Sequence, residues 1–137
     1  MLQPPMSVID DVDLRLVVPG DEGVQLTATL RFEASDPFAV EATFRAGAES
    51  ISWVLGRDLL ADGLHGDCGE GDVRVWPTVD RGRHVVMLQL SSPDGSALLA
   101  ADATGLDAFL RRTYEAVPLG FEGDHLDLDS VVAKLLT

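Results

Sequence analysis

Disulfides, membrane spans and positive charge are what this chain has least of, and each shortage removes a class of function. Cys68 is the single cysteine among 137 residues, so no internal disulfide can form and a reducing compartment is the natural setting. No apolar run approaches the ~18 residues of a membrane-spanning helix, so direct membrane insertion is not expected. Residues 1–12 show no basic stretch followed by an apolar one, so a secretory signal is not expected either. Pro4-Pro5 instead suggests a short flexible leader over residues 1–11. Ten Lys and Arg stand against 23 Asp and Glu, a formal net charge of -13. Phosphate backbones are bound by clustered basic residues, so this balance argues against nucleic acid. Anionic membrane surfaces repel such a chain as well, and its field favours basic or mixed-charge partners.

Catalytic signatures are also missing. The chain has no Gly-x-Ser-x-Gly elbow. The glycines between Gly66 and Gly71 precede a strand and lack the Gly-Lys-Ser/Thr ending of a phosphate-binding loop. His65, Asp67, Cys68, Glu70 and Asp72 share one loop but do not have the paired-ligand spacing of a zinc site. That stretch reads as an acidic connection. Asp124, His125, Asp127 and Asp129 alternate in a way that calls calcium to mind, yet Leu126 and Leu128 interrupt them and no distal Glu follows. Asp and Ser at that point read as helix-capping residues. We therefore expect no enzyme, no metal and no cofactor.

The remaining composition, 46% apolar and 24% charged, is that of a folded protein. At this length a domain buries roughly two-thirds of its unfolded surface and needs no staple. One domain over residues 12–137 is the expectation.

Along the chain, Val12 to Val18 alternates as a half-buried strand, and Pro19-Gly20-Asp21-Glu22-Gly23 is a turn. Val24, Leu26, Ala28, Leu30 and Phe32 alternate with Gln25, Thr27, Thr29 and Arg31, a period of two that only a strand has. Ser35-Asp36-Pro37 should break the sheet. Strands follow around Val40–Phe44 and Ile51–Leu55, giving a meander. Arg57 to Leu64 turns helical, with Leu59, Leu60 and Leu64 on one stripe. Val73 to Trp76 is a strand that Pro77 should stop. Arg83 to Leu90 and Ala97 to Ala100 flank the turn Ser92-Pro93-Asp94-Gly95. A helix over 105–117, capped by Thr104, carries Leu106, Phe109, Leu110 and Val117 inward and Arg111 and Arg112 outward. A last short helix from Asp127 or Asp129 buries Val131, Val132, Leu135 and Leu136. The class is α+β with antiparallel sheet dominant. Arg57, Arg74, Arg81, Arg83 and His84 read as solvated charges on the sheet edge and around a hairpin. Trp53 and Trp76 read as core or sheet-face anchors.

An ordered set of segments adds a resemblance. Asp36-Pro37-Phe38-Ala39-Val40, Ala42-Thr43-Phe44 and Trp53-Val54 come first, followed by Arg57-Asp58-Leu59-Leu60-Ala61-Asp62-Gly63-Leu64. Next are Gly71-Asp72-Val73-Arg74-Val75-Trp76-Pro77 and Leu90-Ser91-Ser92-Pro93-Asp94-Gly95. Phe109-Leu110-Arg111-Arg112-Thr113 and Val117-Pro118-Leu119-Gly120 complete it. Together they resemble the SsgA-like sporulation and cell division proteins, closest to the SsgB type. The resemblance implies a cytoplasmic factor at the division septum that recruits or positions FtsZ with the help of SsgA-like proteins. It implies two antiparallel sheets with packed helices, similar to Whirly-type single-strand nucleic-acid binders, and a homo-oligomer, a trimer by that likeness. Partner contact is expected at the segment holding Arg111, Arg112 and Gly120, and single-strand nucleic-acid binding is the rival activity.

Overall fold

The structure, a computed structural model, describes residues 7–20 and 23–124. The strands are β1 (Ser7–Leu16), β2 (Val24–Glu33), β3 (Asp36–Ala46), β4 (Glu49–Gly56), β5 (Cys68–Glu70), β6 (Val73–Asp80), β7 (Arg83–Ser92) and β8 (Gly95–Asp102). Two helices, α1 (Arg57–Gly63) and α2 (Ala103–Ala116), and a 3-10 turn at Glu122–Asp124 complete the described elements.

Where two sheets were expected, there is one continuous antiparallel sheet in the order β4-β3-β2-β1-β8-β7-β6-β5. It consists of two meanders, β1–β4 and β5–β8, joined by one short ladder. That ladder pairs Leu14, Arg15 and Leu16 with Ala101, Ala100 and Leu99, and the Val17 amide extends it to the Leu98 carbonyl at 2.8 Å. Neighbouring strands in sequence announce the meanders. The seam joins residues more than eighty positions apart, and local alternation carries no trace of it.

The sheet curls around one core. Val8, Val12 and Leu14 of β1, Ala28, Leu30 and Phe32 of β2, and Val40 and Ala42 of β3 face inward. They meet Val86 and Leu88 of β7 and Leu99 and Ala101 of β8. α2 lays Leu106, Phe109, Leu110 and Thr113 on this surface, and Val117 just beyond it is fully buried. α1 packs so closely on β6 that a Cβ on Gly63 would collide with the Val75 side chain, which is why glycine ends that helix.

Four local expectations change. β1 starts at Ser7, ahead of Val12, because Val8 already takes a core position. Pro77 does not end β6, which runs to Asp80. β5 pairs only with Val73 to Val75, so Pro77 has a neighbouring strand on the β7 side alone, and an edge tolerates its missing donor. Asp36-Pro37 opens β3 rather than breaking the sheet, after a turn at Ala34-Ser35. The cap of α2 is Asp102, not Thr104: its carboxylate accepts the Gly105 amide at 3.2 Å. The predicted final helix lies outside the described residues.

Candidate protein-interaction surface

The buried polar centre of the molecule is Arg57, at the junction of β4 and α1, only 1% exposed. Read from sequence it was one more surface charge, and the structure overturns that. Its guanidinium lies 4.0 Å from the Tyr114 ring centroid and 5.1 Å from that of Phe32, a cation–π stack in a desolvated site. Nη1 donates to the carbonyls of Thr113 at 3.1 Å and Val117 at 2.8 Å. These are end-of-helix acceptors, and a cation there also answers the helix dipole. Nη2 donates to Glu122 Oε1 at 3.2 Å, while Nε has no hydrogen-bond partner. The signal available in the sequence was position: an arginine between a buried strand end and the first turn of a helix whose next apolar residues face the core.

Glu122 closes the other side. Its Oε2 accepts the Gly120 amide at 2.9 Å. Its pKa is held below the ordinary value by the hydrogen bond from its own amide, then by the Gly120 amide and by Arg57, against the opposing effect of burial. Tyr114 donates to Asp58 at 2.7 Å. Burial, then that hydrogen bond, pushes its phenol well above the usual range, so it stays a donor.

This clamp fixes the turn after α2. Gly120 has φ +91, a left-handed angle, with open space where a Cβ would sit. The backbone angle, not crowding, demands glycine. On either side Leu119 is 68% exposed and Phe121 is 56% exposed. The turn thus leaves more than half of each of two large apolar side chains exposed, an arrangement that marks contact surfaces.

Arg111 and Arg112 are both on the outer side of α2, as expected, but they do not form one patch. Arg111, 76% exposed, pairs within the helix with Asp107 at 2.8 Å. Arg112, 50% exposed, reaches across to Asp10 of β1 at 3.1 Å and ties helix to sheet. Gly120 lies beyond the helix end, beside the clamp and not beside either arginine's carboxylate.

A second apolar surface sits at the opposite end of the curl, where β2, β3 and β4 face β7 and β8 across a cleft of about 550 Å³. Its described lining includes Leu26, Phe44, Trp53 and Leu99, with Val24 and Ile51 exposed at the rim. Trp53 is half-buried there. Trp76, also half-buried, carries Arg74 at 5.3 Å from its ring centroid, and Arg74 is in turn paired with Asp67 at 2.8 Å. Two separated tryptophans, one under an already neutralised arginine, do not make a ladder on which bases could stack.

The loop from His65 to Asp72 is shorter than expected, because Cys68–Glu70 pairs with β6 as β5. Among the described residues, no three His, Cys, Asp or Glu side chains are gathered closely enough to hold a metal ion. Among them, too, no helix is long and apolar enough to cross a membrane.

The family model described as "Streptomyces sporulation and cell division protein, SsgA" matches residues 26–122. The sporulation-specific cell division protein SsgB of Streptomyces coelicolor is 50% identical over 131 residues, covering 95% of this chain and 96% of that protein. SsgB of Frankia casuarinae is 48% identical over 131 residues, covering 95% and 92%. A solved SsgB structure, from work relating SsgB mutations to longitudinal cell division during sporulation of Streptomyces coelicolor, superposes with a TM-score of 0.85. It is 46% identical and covers 92% of this chain and 100% of that one. The crystal structure of an SsgA-like sporulation-specific cell division protein from Thermobifida fusca gives a TM-score of 0.86 at 40% identity, covering 98% and 99%.

Proposed function

The chain belongs to the SsgA family and is of the SsgB type, and on that premise we propose that it is a non-enzymatic adaptor of sporulation-specific cell division that recruits or positions FtsZ at septum sites. The observation that carries the reading is the 50% identity, over nearly the whole chain, to a protein named for that process. The geometry supports an adaptor in particular. Its buried polar atoms are spent on holding a turn still, and what the turn offers to solvent is shape and apolar area. Binding by a preorganised surface avoids the ordering cost that a mobile loop would carry.

In this reading the contact face runs from the outer side of α2 to the turn. Leu119 and Phe121 are its apolar anchors, Gly120 sets their angle, and Arg111 and Arg112 form a charged rim that steers encounter more than it sets affinity. The adaptor works in the cytoplasm at the septum, as a homo-oligomer, a trimer, alongside other SsgA-like proteins. The cleft rimmed by Val24 and Ile51 supplies apolar area that a second subunit can cover. A standard interface needs about 800 Å² from each partner, which a domain of this size can supply once or twice.

Co-sedimentation with FtsZ polymers tests the reading: saturable pelleting at physiological salt is expected, and a protein that stays in the supernatant contradicts it. The rival, a Whirly-like single-strand binder, makes the opposite prediction. A gel shift with oligo-dT at the same salt is expected to show no complex, and a tight complex would favour the rival.

A further inference from the structure

The described residues include nine arginines, and seven of them hold a carboxylate: Arg15, Arg31, Arg45, Arg57, Arg74, Arg111 and Arg112. Arg81 and Arg83 hold none. They stand two residues apart at the tip of the β6–β7 hairpin, with His84 beside them, and all three are exposed. In a chain with a net charge of -13, two neighbouring cations left without a carboxylate are out of keeping with the rest of the surface. Asp80, the cross-strand neighbour of Arg83, does not neutralise it, because its carboxylate is taken by Arg15 of β1.

The backbone singles out the same tip. Arg81 and Gly82 form a two-residue turn with φ of 53 and 77. Such turns favour Asn, Asp or Gly at the first position, since a left-handed angle is costly for a residue with a Cβ. Arg81 is the one non-glycine residue with a positive φ among those described. A residue that folding does not favour, placed where its charge meets no carboxylate among the described residues, points to function.

The surroundings define what fits. A cleft of about 300 Å³ runs from the arginines over Val85, whose half-buried side chain gives it an apolar floor. Asp13 and Asp102 line the same cleft, as does Asp80, which Arg15 already holds. A run of phosphates would meet those carboxylates, whereas one or two carboxylates next to an apolar side chain could settle on the arginines and avoid them. We propose that the tip of the β6–β7 hairpin, Asp80 to Val85, is a docking site for a short acidic segment of a partner protein, with Arg81 and Arg83 binding its carboxylates. Arg111 and Arg112 are less suited to that role because each is already paired. The inference rests on the adaptor reading and adds to it a second contact, on the outer face of the sheet.

Backbone amide shifts of the full chain, titrated with a ten-residue peptide of Asp, Glu and Leu, test this. Shifts confined to 80–85 are expected, with none from the matching peptide of Asn, Gln and Leu. The Arg81→Gly, Arg83→Ser double variant should bind the acidic peptide about tenfold more weakly, the loss of two exposed charge-assisted contacts. Arg81→Gly alone should hold or raise the melting temperature, which a merely structural arginine would not do. Equal binding by the double variant, equal binding of the neutral peptide, a fall in melting temperature for Arg81→Gly, or stronger hairpin shifts from oligo-dT than from the acidic peptide would each overturn the proposal. FtsZ is absent from this assay, so its failure leaves the pelleting result standing, and a failed pelleting experiment leaves this one to be read by itself.

Discussion

Removing Arg57 should do more damage than removing any other charged side chain in the described fold. Arg57→Ala deletes two hydrogen bonds to the α2 terminus, the pair with Glu122 and the stack on Tyr114. It strands the Val117 carbonyl and the Glu122 carboxylate in a dry site and leaves a cavity beside Phe32. Breaking a buried pair by removing one partner costs about 3–5 kcal/mol. For a domain of this size about 3 °C is lost per kcal/mol, so the melting temperature should fall by about 10–15 °C. The already unsatisfied Nε argues for the lower half of that range, since the native site is not perfectly paired. Arg57→Lys separates charge from geometry. Lysine keeps the cation but not the planar fork that reaches two carbonyls and a carboxylate at once, and should recover less than half of the loss. Urea unfolding followed by tryptophan fluorescence and by circular dichroism measures both variants. A loss under ~1 kcal/mol for Arg57→Ala, or wild-type stability for Arg57→Lys, would refute the claim that this guanidinium organises the end of α2.

Other consequences follow from the same structure. Glu122 has a pKa below its ordinary value of 4.5, so its contribution is complete above that value and disappears as pH falls through the lower folded value. Glu122→Gln should therefore be less stable than wild type at pH 7 and lose less on acidification below pH 4.5, as acid titration of the melting temperature would show. Gly63→Ala should cost about 1–3 kcal/mol by driving a methyl into Val75, measured by chemical unfolding. Gly120→Ala should cost about 1–2 kcal/mol from the left-handed angle alone, as nothing stands where the methyl would go. Equal costs for Gly120→Ala and for alanine at the open, right-handed Gly123 would contradict that reasoning. Analytical ultracentrifugation at micromolar concentration should show an oligomer, and Ile51→Glu at the apolar rim should shift it toward monomer.

Alternation made most of the sheet legible: Ala28, Leu30 and Phe32 in β2 and Val86, Leu88 and Leu90 in β7 are buried as their period of two requires. The stripe of α2 was equally plain, because Leu106, Phe109 and Leu110 recur at helical spacing. Seams between distant segments were not legible. The β1–β8 ladder rests on three residue pairs, and nothing in Leu14-Arg15-Leu16 says that its partner is Leu99-Ala100-Ala101. β5 was hidden for a similar reason, as a three-residue strand with glycine at its centre has no period to read. The proposed contact surface was half legible. Gly120 after a helix and before a loop announces a positive angle, but the residues that hold the turn, Arg57 and Glu122, lie 65 positions apart. Isolated charges look alike in sequence whether they are solvated or clamped. The unpaired state of Arg81 and Arg83 could not be seen either, since it depends on where Asp80 turns.

On the proposed reading, the clamped turn presents Leu119 and Phe121 to FtsZ. The most direct test of that reading is co-sedimentation of FtsZ polymers with the wild type and with a Leu119→Ser, Phe121→Ser variant whose melting temperature and oligomeric state are first shown to be intact. Saturable pelleting of the wild type is expected, with at least about tenfold weaker pelleting of the variant, the scale set by two lost interface anchors. Pelleting of both proteins alike, or of neither, would contradict it.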